Sequence, residues 1–333
     1  MKGKYHIVVQ NNRLRYELTV RRNITIIRGD SATGKTTLIN LIEQASALGE
    51  NSGVDVVCER PCRILSGNDW NLILPYLHGQ IIFLDEENQF IKSQEFAAAV
   101  KASDNYFVLV TREDLPNLPY SVEEIYGIHT SGKYHDLRRT YNEMYRIYSP
   151  DLFTGKVKPD TIVVEDSNSG YEFFRAVCLE HNINCLSAKG KSNLKQAVPS
   201  SGEQILVVAD GAAIGSEMNE LYQMMKTNVR MKCYLPESFE WLILKSGQID
   251  GKVVQNILEQ PEDYIDSQKY FSWERFFTAI LMENTQNSYL KYSKSKLNEA
   301  YLQGKMKQAV LDVMEGICWG KEEEKDRTLL KGL

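Results

Sequence analysis

Arg28–Thr37, RGDSATGKTT, directly follows the apolar run Ile24–Ile27, ITII, and leads into Leu38, Leu41, Ile42, Ala45 and Leu48. The run before it is strand-like, and the spacing after it is helical and closes at Gly49. Between the two, Gly29, Gly34, Lys35 and Thr36 satisfy GxxxxGK[ST], in the strand-then-helix setting this pattern requires. Glycines let the main chain wrap closely around phosphates, so that successive amides point inward at the start of a helix whose dipole favours negative charge. Gly29, Asp30, Ser31, Ala32, Thr33, Gly34, Lys35, Thr36 and Thr37 are therefore the expected phosphate cradle, and ATP with Mg²⁺ the expected cofactors. In it Lys35 reaches the β and γ phosphates and Thr36 offers a hydroxyl to Mg²⁺.

A second element fits the first. Ile81–Asn88, IIFLDEEN, puts Asp85 and Glu86 at the end of a wholly apolar strand. Asp85 is placed to hold the Mg²⁺ shell, and Glu86 to orient or deprotonate a water; the paired acids favour hydrolysis over transfer to a bound acceptor. Acids also end strands for purely structural reasons. The next apolar run, YFVLV, ends in Thr111 and Arg112. Its polar tip is read either as a sensor of the γ phosphate or as a solvated strand end.

The chain has 333 residues, 43% of them hydrophobic, enough for a full core and more consistent with two domains than with one. A net charge of −5 argues against coating nucleic acid through bulk charge, so any such role must come from a site. The six cysteines are scattered, and only Cys58 and Cys62 lie close, in a CxxxC with no second ligand pair nearby; reduced thiols are expected rather than zinc or disulfides. The opening MKGKYHIVVQ reads as a strand rather than a signal peptide, and no segment carries the ~18 apolar residues of a membrane span. A cytoplasmic, non-membrane protein is expected.

Along the chain, YHIVV, LRYELTV and ITII read as strands, the first two separated by the turn-forming QNNR. VDVVC, WNLILPYL, IIFLD, a helical QEFAAAVKA and YFVLV then alternate in the manner of a parallel sheet covered by helices. Residues 122–148 are polar and tyrosine-rich, consistent with a hairpin, and 149–160, SPDLFTGKVKPD, has the composition of a linker. A second alternating unit follows: TIVVE, YEFFRAVCLEHN, NCLSA, NLKQAV, QILVVAD, EMNELYQMMK and RMKCYL. After Pro236 the pattern is helical through Trp319, LPESFEWLIL reading as a helix start, and 321–333 reads as a frayed tail. The expected fold class is α/β, with a nucleotide-binding parallel sheet, a second smaller α/β domain and a helical C-terminal region. The expected boundaries are 1–148, 149–160, 161–245 and 246–333.

Residues 1–148, with NITIIRGDSATGKTTL, resemble a compact ATPase of the additional-strand P-loop group, which includes the AAA-type and ABC-type ATPases. In that group the strand corresponding to YFVLV lies between the loop strand and the Asp-Glu strand. No LSGGQ-type signature is present, and the large insertions of ABC-type ATPases are missing. Within about residues 159–245, TIVVEDSNSGYEFF, KGKSNL and ILVVADGAAIG resemble the topoisomerase-primase (TOPRIM) fold. The order of the two units is similar to that of the overcoming-lysogenization-defect ATPase-nucleases. That resemblance implies a nucleic-acid substrate or ligand and a role in phage defence or DNA maintenance; a homo-oligomer is also expected, and the alternative reading, an ATP-driven switch or scaffold, expects a partner protein.

Carried across, Glu165 is implied as the metal-linked acid/base residue, Asp210 as the first metal ligand, and Gly215 as the closing glycine of a DxDxxG motif. Where the second Asp of that motif belongs this chain has Ala212, and where a second acid often follows the Glu it has Ser169. Two-metal cleavage needs enough carboxylates to hold cations about 4 Å apart. Asp166 and Glu217 are the nearby candidates for compensation, although Asp166 should point away from Glu165 on a regular strand. Three readings therefore stay open: an active nuclease, a degenerate TOPRIM-like domain kept for binding or assembly, and an unrelated Rossmann-like unit. Lys291, Lys294, Lys296, Lys305 and Lys307 fall at helical spacing, either as a phosphate-contacting stripe or as a solvated helix face.

Overall fold

Alternating burial along β2 (Leu14–Val20) marks a half-buried strand, whereas β3 (Ile24–Ile27) is buried at every position, as a central strand must be. The computed structural model describes residues 1–29, 34–131, 139–148, 155–200, 202–249 and 251–319. Residues 149–154 of the expected linker and the expected tail 321–333 lie outside the described residues. The chain divides into two units, one comprising Met1–Pro150, Asp210–Asn219 and Asp250–Ile280, the other Asp151–Ala209, Glu220–Ile249 and Leu281–Leu333.

The first unit is built on a nine-stranded mixed sheet. Its strands are β1 (Tyr5–Gln10), β2, β3, β4 (Asp55–Val57), β5 (Cys62–Ile64), β6 (Ile81–Asp85), β7 (Tyr106–Val110), β8 (Ile125–Ser131) and β9 (Thr140–Arg146), in the order β4-β1-β2-β9-β8-β3-β7-β6-β5. β1 and β2 pair antiparallel through a turn in which the Asn11 side chain accepts from the Arg13 and Leu14 amides, both at 2.8 Å. β8 and β9 form the antiparallel pair expected from 122–148, with Tyr126 opposite Arg146. β3, β7, β6 and β5 are mutually parallel. Helices α1 (Lys35–Leu48), α2 (Trp70–Ile73) and α3 (Gln94–Ala102) belong to this unit. WNLILPYL, grouped with the strands and helices around it, is helical at Trp70–Ile73 and continues into a 3₁₀ turn.

The two outermost strands, β4 and β5, are joined by only residues 58–61. A flat sheet of nine strands would separate its edges by about 38 Å, whereas the peptide steps from Val57 to Cys62 reach at most about 18 Å. The sheet therefore curls, and α1 lies inside the curl. Leu38, Ile39, Leu41 and Ile42 pack in one buried cluster with Ile7, Val9 and Leu18 on one side and Phe83 and Val108 on the other. β5 had no counterpart in the sequence pattern, being a three-residue edge strand directly after Pro61.

The second unit carries a four-stranded, all-parallel sheet of β10 (Thr161–Val164), β11 (Asn184–Ser187), β12 (Ile205–Val208) and β13 (Met231–Tyr234), in the order β11-β10-β12-β13. β10 and β12 are buried throughout. The connecting helices α4 (Ser169–His181), α5 (Leu194–Ala197) and α6 (Met218–Thr227) fall where the alternation predicts them. Past Pro236 come α7 (Phe239–Lys245), α8 (Lys252–Glu259), α9 (Trp273–Thr285) and α10 (Gly304–Asp312). Ser238 caps α7 by accepting from the Trp241 amide at 3.2 Å.

The expected helical run through Trp319 is broken at 286–298, and the lysine pattern is corrected with it. Asn298 donates to the Tyr289 and Lys291 carbonyls and accepts from the Ala300 amide, local bonds that replace the helical ladder. Lys291, Lys294 and Lys296 therefore lie on irregular chain, and only Lys305 and Lys307 sit on α10. Lys307 pairs with Glu180 at 2.5 Å, and Lys294 with Glu240 at 3.3 Å. Among the described residues, no helix is long and apolar enough to cross a membrane.

Candidate functional site: a lysine and two acids at the edge of the large sheet

β3, β7 and β6 end in step. Ile27 is registered with Val110, and Val110 with Asp85, so the loop strand and the acid strand finish at the same level with β7 between them. At a spacing of about 4.8 Å per strand, Asp85 lies about 10 Å along the sheet edge from the point where the glycine loop begins. Arg28 continues this row: its amide donates to the Tyr126 carbonyl at 2.7 Å, and its guanidinium pairs with Asp114 at 2.7 Å.

Of the expected cradle, Asp30, Ser31, Ala32 and Thr33 lie outside the described residues. Its two ends are defined. Gly34 sits in the left-handed region at φ 84° and opens α1, whose first turn carries no acidic residue. Tyr16 of β2 donates to the Gly34 carbonyl at 3.0 Å, and a Cβ on Gly34 would stand 2.8 Å from that hydroxyl. Both its backbone angle and its neighbour therefore exclude a side chain there. Burial pushes the Tyr16 hydroxyl above its ordinary range, partly offset by a hydrogen bond with Thr37. Tyr16 is a site residue that the sequence did not expose: on β2 it reads as one more buried strand position.

Lys35 is 6% exposed, and its ammonium donates to the Gly29 carbonyl at 2.6 Å, across the loop. Thr36 and Thr37 are exposed at the helix start. The Asp85 carboxyl is pushed up, first by burial and then by its neighbours Glu87 and Glu86, and Lys35 pulls it back. Its Oδ1 accepts from the Glu86 amide at 2.6 Å. Glu86 is held from the far side by Arg112, whose amide donates to Oε2 at 3.2 Å and whose Nε lies 3.3 Å from Oε1. The strand tip read as sensor or solvated end thus grips the acid of the neighbouring strand. Lys35 and Asp85 are brought within electrostatic reach of each other, while Glu86 is turned to Arg112; a half-buried carboxylate crowded by like charges beside a helix start is a donor that suits Mg²⁺ when phosphate oxygens complete the set.

The second sheet edge is arranged differently. Glu165 follows β10, its amide donating to the Val208 carbonyl at 2.9 Å and its carbonyl accepting from the Gly190 amide at 2.8 Å. The KGKSNL loop is thereby tied to the strand end, with Lys189 at φ 57°. Asp166 accepts through Oδ1 from the Ser167 and Asn168 amides at 2.6 and 2.9 Å, and through Oδ2 from the Gly170 amide at 3.1 Å. Its carboxylate is committed to the main chain at the start of α4. Nearby, Ser169 and Tyr292 share a hydrogen bond of 2.6 Å and Tyr292 donates to Glu240 at 2.8 Å, in a buried polar chain that ends at Lys294. Burial, followed by the Glu240 charge, pushes the Tyr292 hydroxyl far up.

Asp210 belongs to the first unit by its contacts, whereas Glu165 belongs to the second. The turn after Asp210 is docked within the first unit. The Gly211 carbonyl accepts from the Val122 amide at 3.0 Å and the Ser121 hydroxyl at 3.1 Å, and the Gly215 amide donates to the Tyr120 carbonyl at 2.9 Å. A Cβ on Gly215 would lie 2.3 Å from Tyr120 Cδ2, so close packing is what this glycine serves here. Ala212 is buried, and Glu217 accepts from Ser216 at 2.9 Å. Among the described residues, no group of three or more His, Cys, Asp or Glu side chains is gathered to hold a metal ion.

A scan of protein-family models, a search of curated proteins and a search of solved structures each find no match to this chain.

Proposed function

We propose that the first unit binds and hydrolyses a nucleoside triphosphate, ATP with Mg²⁺, in the manner of an additional-strand P-loop ATPase. One observation carries this reading: a buried lysine at the start of α1 reaches the Gly29 carbonyl at the far end of the glycine loop, and that loop leaves β3 level with Asp85 on three in-register parallel strands whose middle member is β7. The amides at the head of α1 and the Lys35 ammonium bind the phosphate chain. Thr36 and Asp85 would hold Mg²⁺, which when bound neutralises charge on the phosphates. Glu86 orients or deprotonates the attacking water once it leaves the Arg112 clamp.

The test is calorimetric titration of the full chain with Mg-ATP, followed by phosphate release. Binding that Lys35→Ala weakens roughly a hundredfold, the loss of one charged hydrogen-bonding group, supports the reading. Equal affinity in wild type and variant refutes it.

For the second unit we propose a TOPRIM-like domain that acts on or binds nucleic acid under control of the ATPase, with Glu165 as its acid. A specific observation favours an alternative, a switch or scaffold that assembles with a partner without cutting: Ala212 replaces an acid, and Asp166 is spent on main-chain amides. Incubation with Mg²⁺ or Mn²⁺ and plasmid, single-stranded DNA or tRNA separates the two. Cleavage abolished by Glu165→Ala supports the nuclease; no cleavage, with nucleotide-dependent assembly lost in Lys35→Ala, supports the switch.

A further inference from the structure

The four-residue connection that closes the curl of the large sheet carries a thiol at its start and another just beyond its end. Cys58 and Cys62 are both half-buried free cysteines, seated against the buried cluster around α1. The residue between them organises both sulfurs. The Arg60 amide donates to Cys58 Sγ at 3.5 Å, and the Cys62 thiol reaches the Arg60 carbonyl at 3.7 Å. Arg60 is itself anchored, its Nε donating to Tyr5 Oη at 3.4 Å and its guanidinium lying 5.6 Å from the Tyr5 ring centre. Tyr5 in turn donates to the Lys2 carbonyl at 2.5 Å.

We propose that Cys58 and Cys62 form a thiol–disulfide exchange site that takes small-molecule disulfides of the glutathione type, with Cys58 as the attacking sulfur and Cys62 as the resolving one. Cys58 Sγ accepts the Arg60 amide, whereas Cys62 turns its proton to the Arg60 carbonyl, so one sulfur is an acceptor and the other keeps its hydrogen. The neighbouring Cys62 thiol, with help from the Arg60 and Glu59 amides, brings the Cys58 thiol down to about 6, while the Cys58 sulfur and burial push Cys62 far up. Near neutral pH Cys58 is the thiolate and Cys62 keeps its proton.

In the first step the Cys58 thiolate attacks one sulfur of the small disulfide, forming a mixed disulfide and releasing one thiolate. In the second, Cys62 gives up its proton to solvent and attacks Cys58 Sγ. The Cys58–Cys62 bond forms, the mixed disulfide breaks, and a second small thiolate leaves. The protein pair is oxidised by two electrons and the small disulfide is reduced by two. The product staples the connection between β4 and β5.

A second neighbouring pair differs in one respect. Cys185 on β11 is half-buried with its thiol also brought down, but its neighbour Cys178 on α4 is 0% exposed, so a link there would have to form inside packed core rather than on a connection between strands.

Purified full chain is incubated with oxidised glutathione at pH 7, quenched with an alkylating reagent and mapped by peptide mass spectrometry. The expected result is a Cys58–Cys62 link with Cys178 and Cys185 still alkylatable. In Cys62→Ser the reaction stops at a glutathione adduct on Cys58, because no second thiol is left to displace it. Cys58→Ser leaves Cys62 unmodified. Six unreacted thiols in the wild type, equal loss at Cys178, or disulfide-linked dimers through Cys58 would each overturn the proposal. The wild-type map decides the matter even if a variant folds poorly.

Discussion

Both sheets follow the same local formula, an apolar parallel strand, then acids, then a helix, and they treat the acid differently. At the large sheet, Asp85 is left half-buried among like charges with Lys35 as its counterweight, and the next acid is gripped by a movable arginine side chain. At the small sheet, Asp166 accepts three main-chain amides at the head of α4. A carboxylate crowded by like charges suits a cation, whereas one satisfied by three backbone donors caps its helix. The same pattern of letters therefore leaves differently satisfied acids at the two edges.

The sharpest way to break this contrast is Glu86→Gln. If Glu86 serves the water, phosphate release falls about 10²–10⁴-fold while Mg-ATP affinity holds; unchanged turnover would remove the difference between the two edges. Gly215→Ala follows. Its methyl would collide with Tyr120, and a loss of about 1–3 kcal/mol in chemical denaturation is expected from overpacking. No loss would mean that the turn after Asp210 is free to serve a site.

Asp166→Ala should cost about 1 kcal/mol of stability, the loss of a side chain that satisfies helix-start amides. Nucleotide affinity should not change. Asp85→Asn is the smallest effect in the nucleotide-free protein and has the opposite sign. Folding raises the Asp85 pKa above 3.8, so the native state binds that proton more tightly than the unfolded chain does, and native stability rises as pH falls through the raised value. The variant should therefore melt slightly higher at pH 7, with the gain fading toward acid pH in a series of thermal melts.

Much of the candidate site was legible because its signals are local. Gly34, Lys35 and Thr36 are adjacent, and Asp85 and Glu86 close an unbroken apolar run, so spacing alone reveals them. Tyr16 was not legible, since its hydroxyl meets Gly34 across eighteen residues of sequence. Nor was the Arg112 grip on Glu86, which joins two strands twenty-six residues apart.

By itself the sequence determined most of the strands and helices of both sheets, β5 excepted, and the start of α1. Continuous apolar runs make central strands, and a glycine before a 3.6-residue apolar repeat makes a helix start. Only the tertiary structure decided that residues 58–61 bring the outer edges together around α1, and that 210–219 belong with the first unit. Local periodicity states which face of an element is apolar and is silent on which distant face will cover it. That choice is made by burial and hydrogen bonding summed over the folded chain.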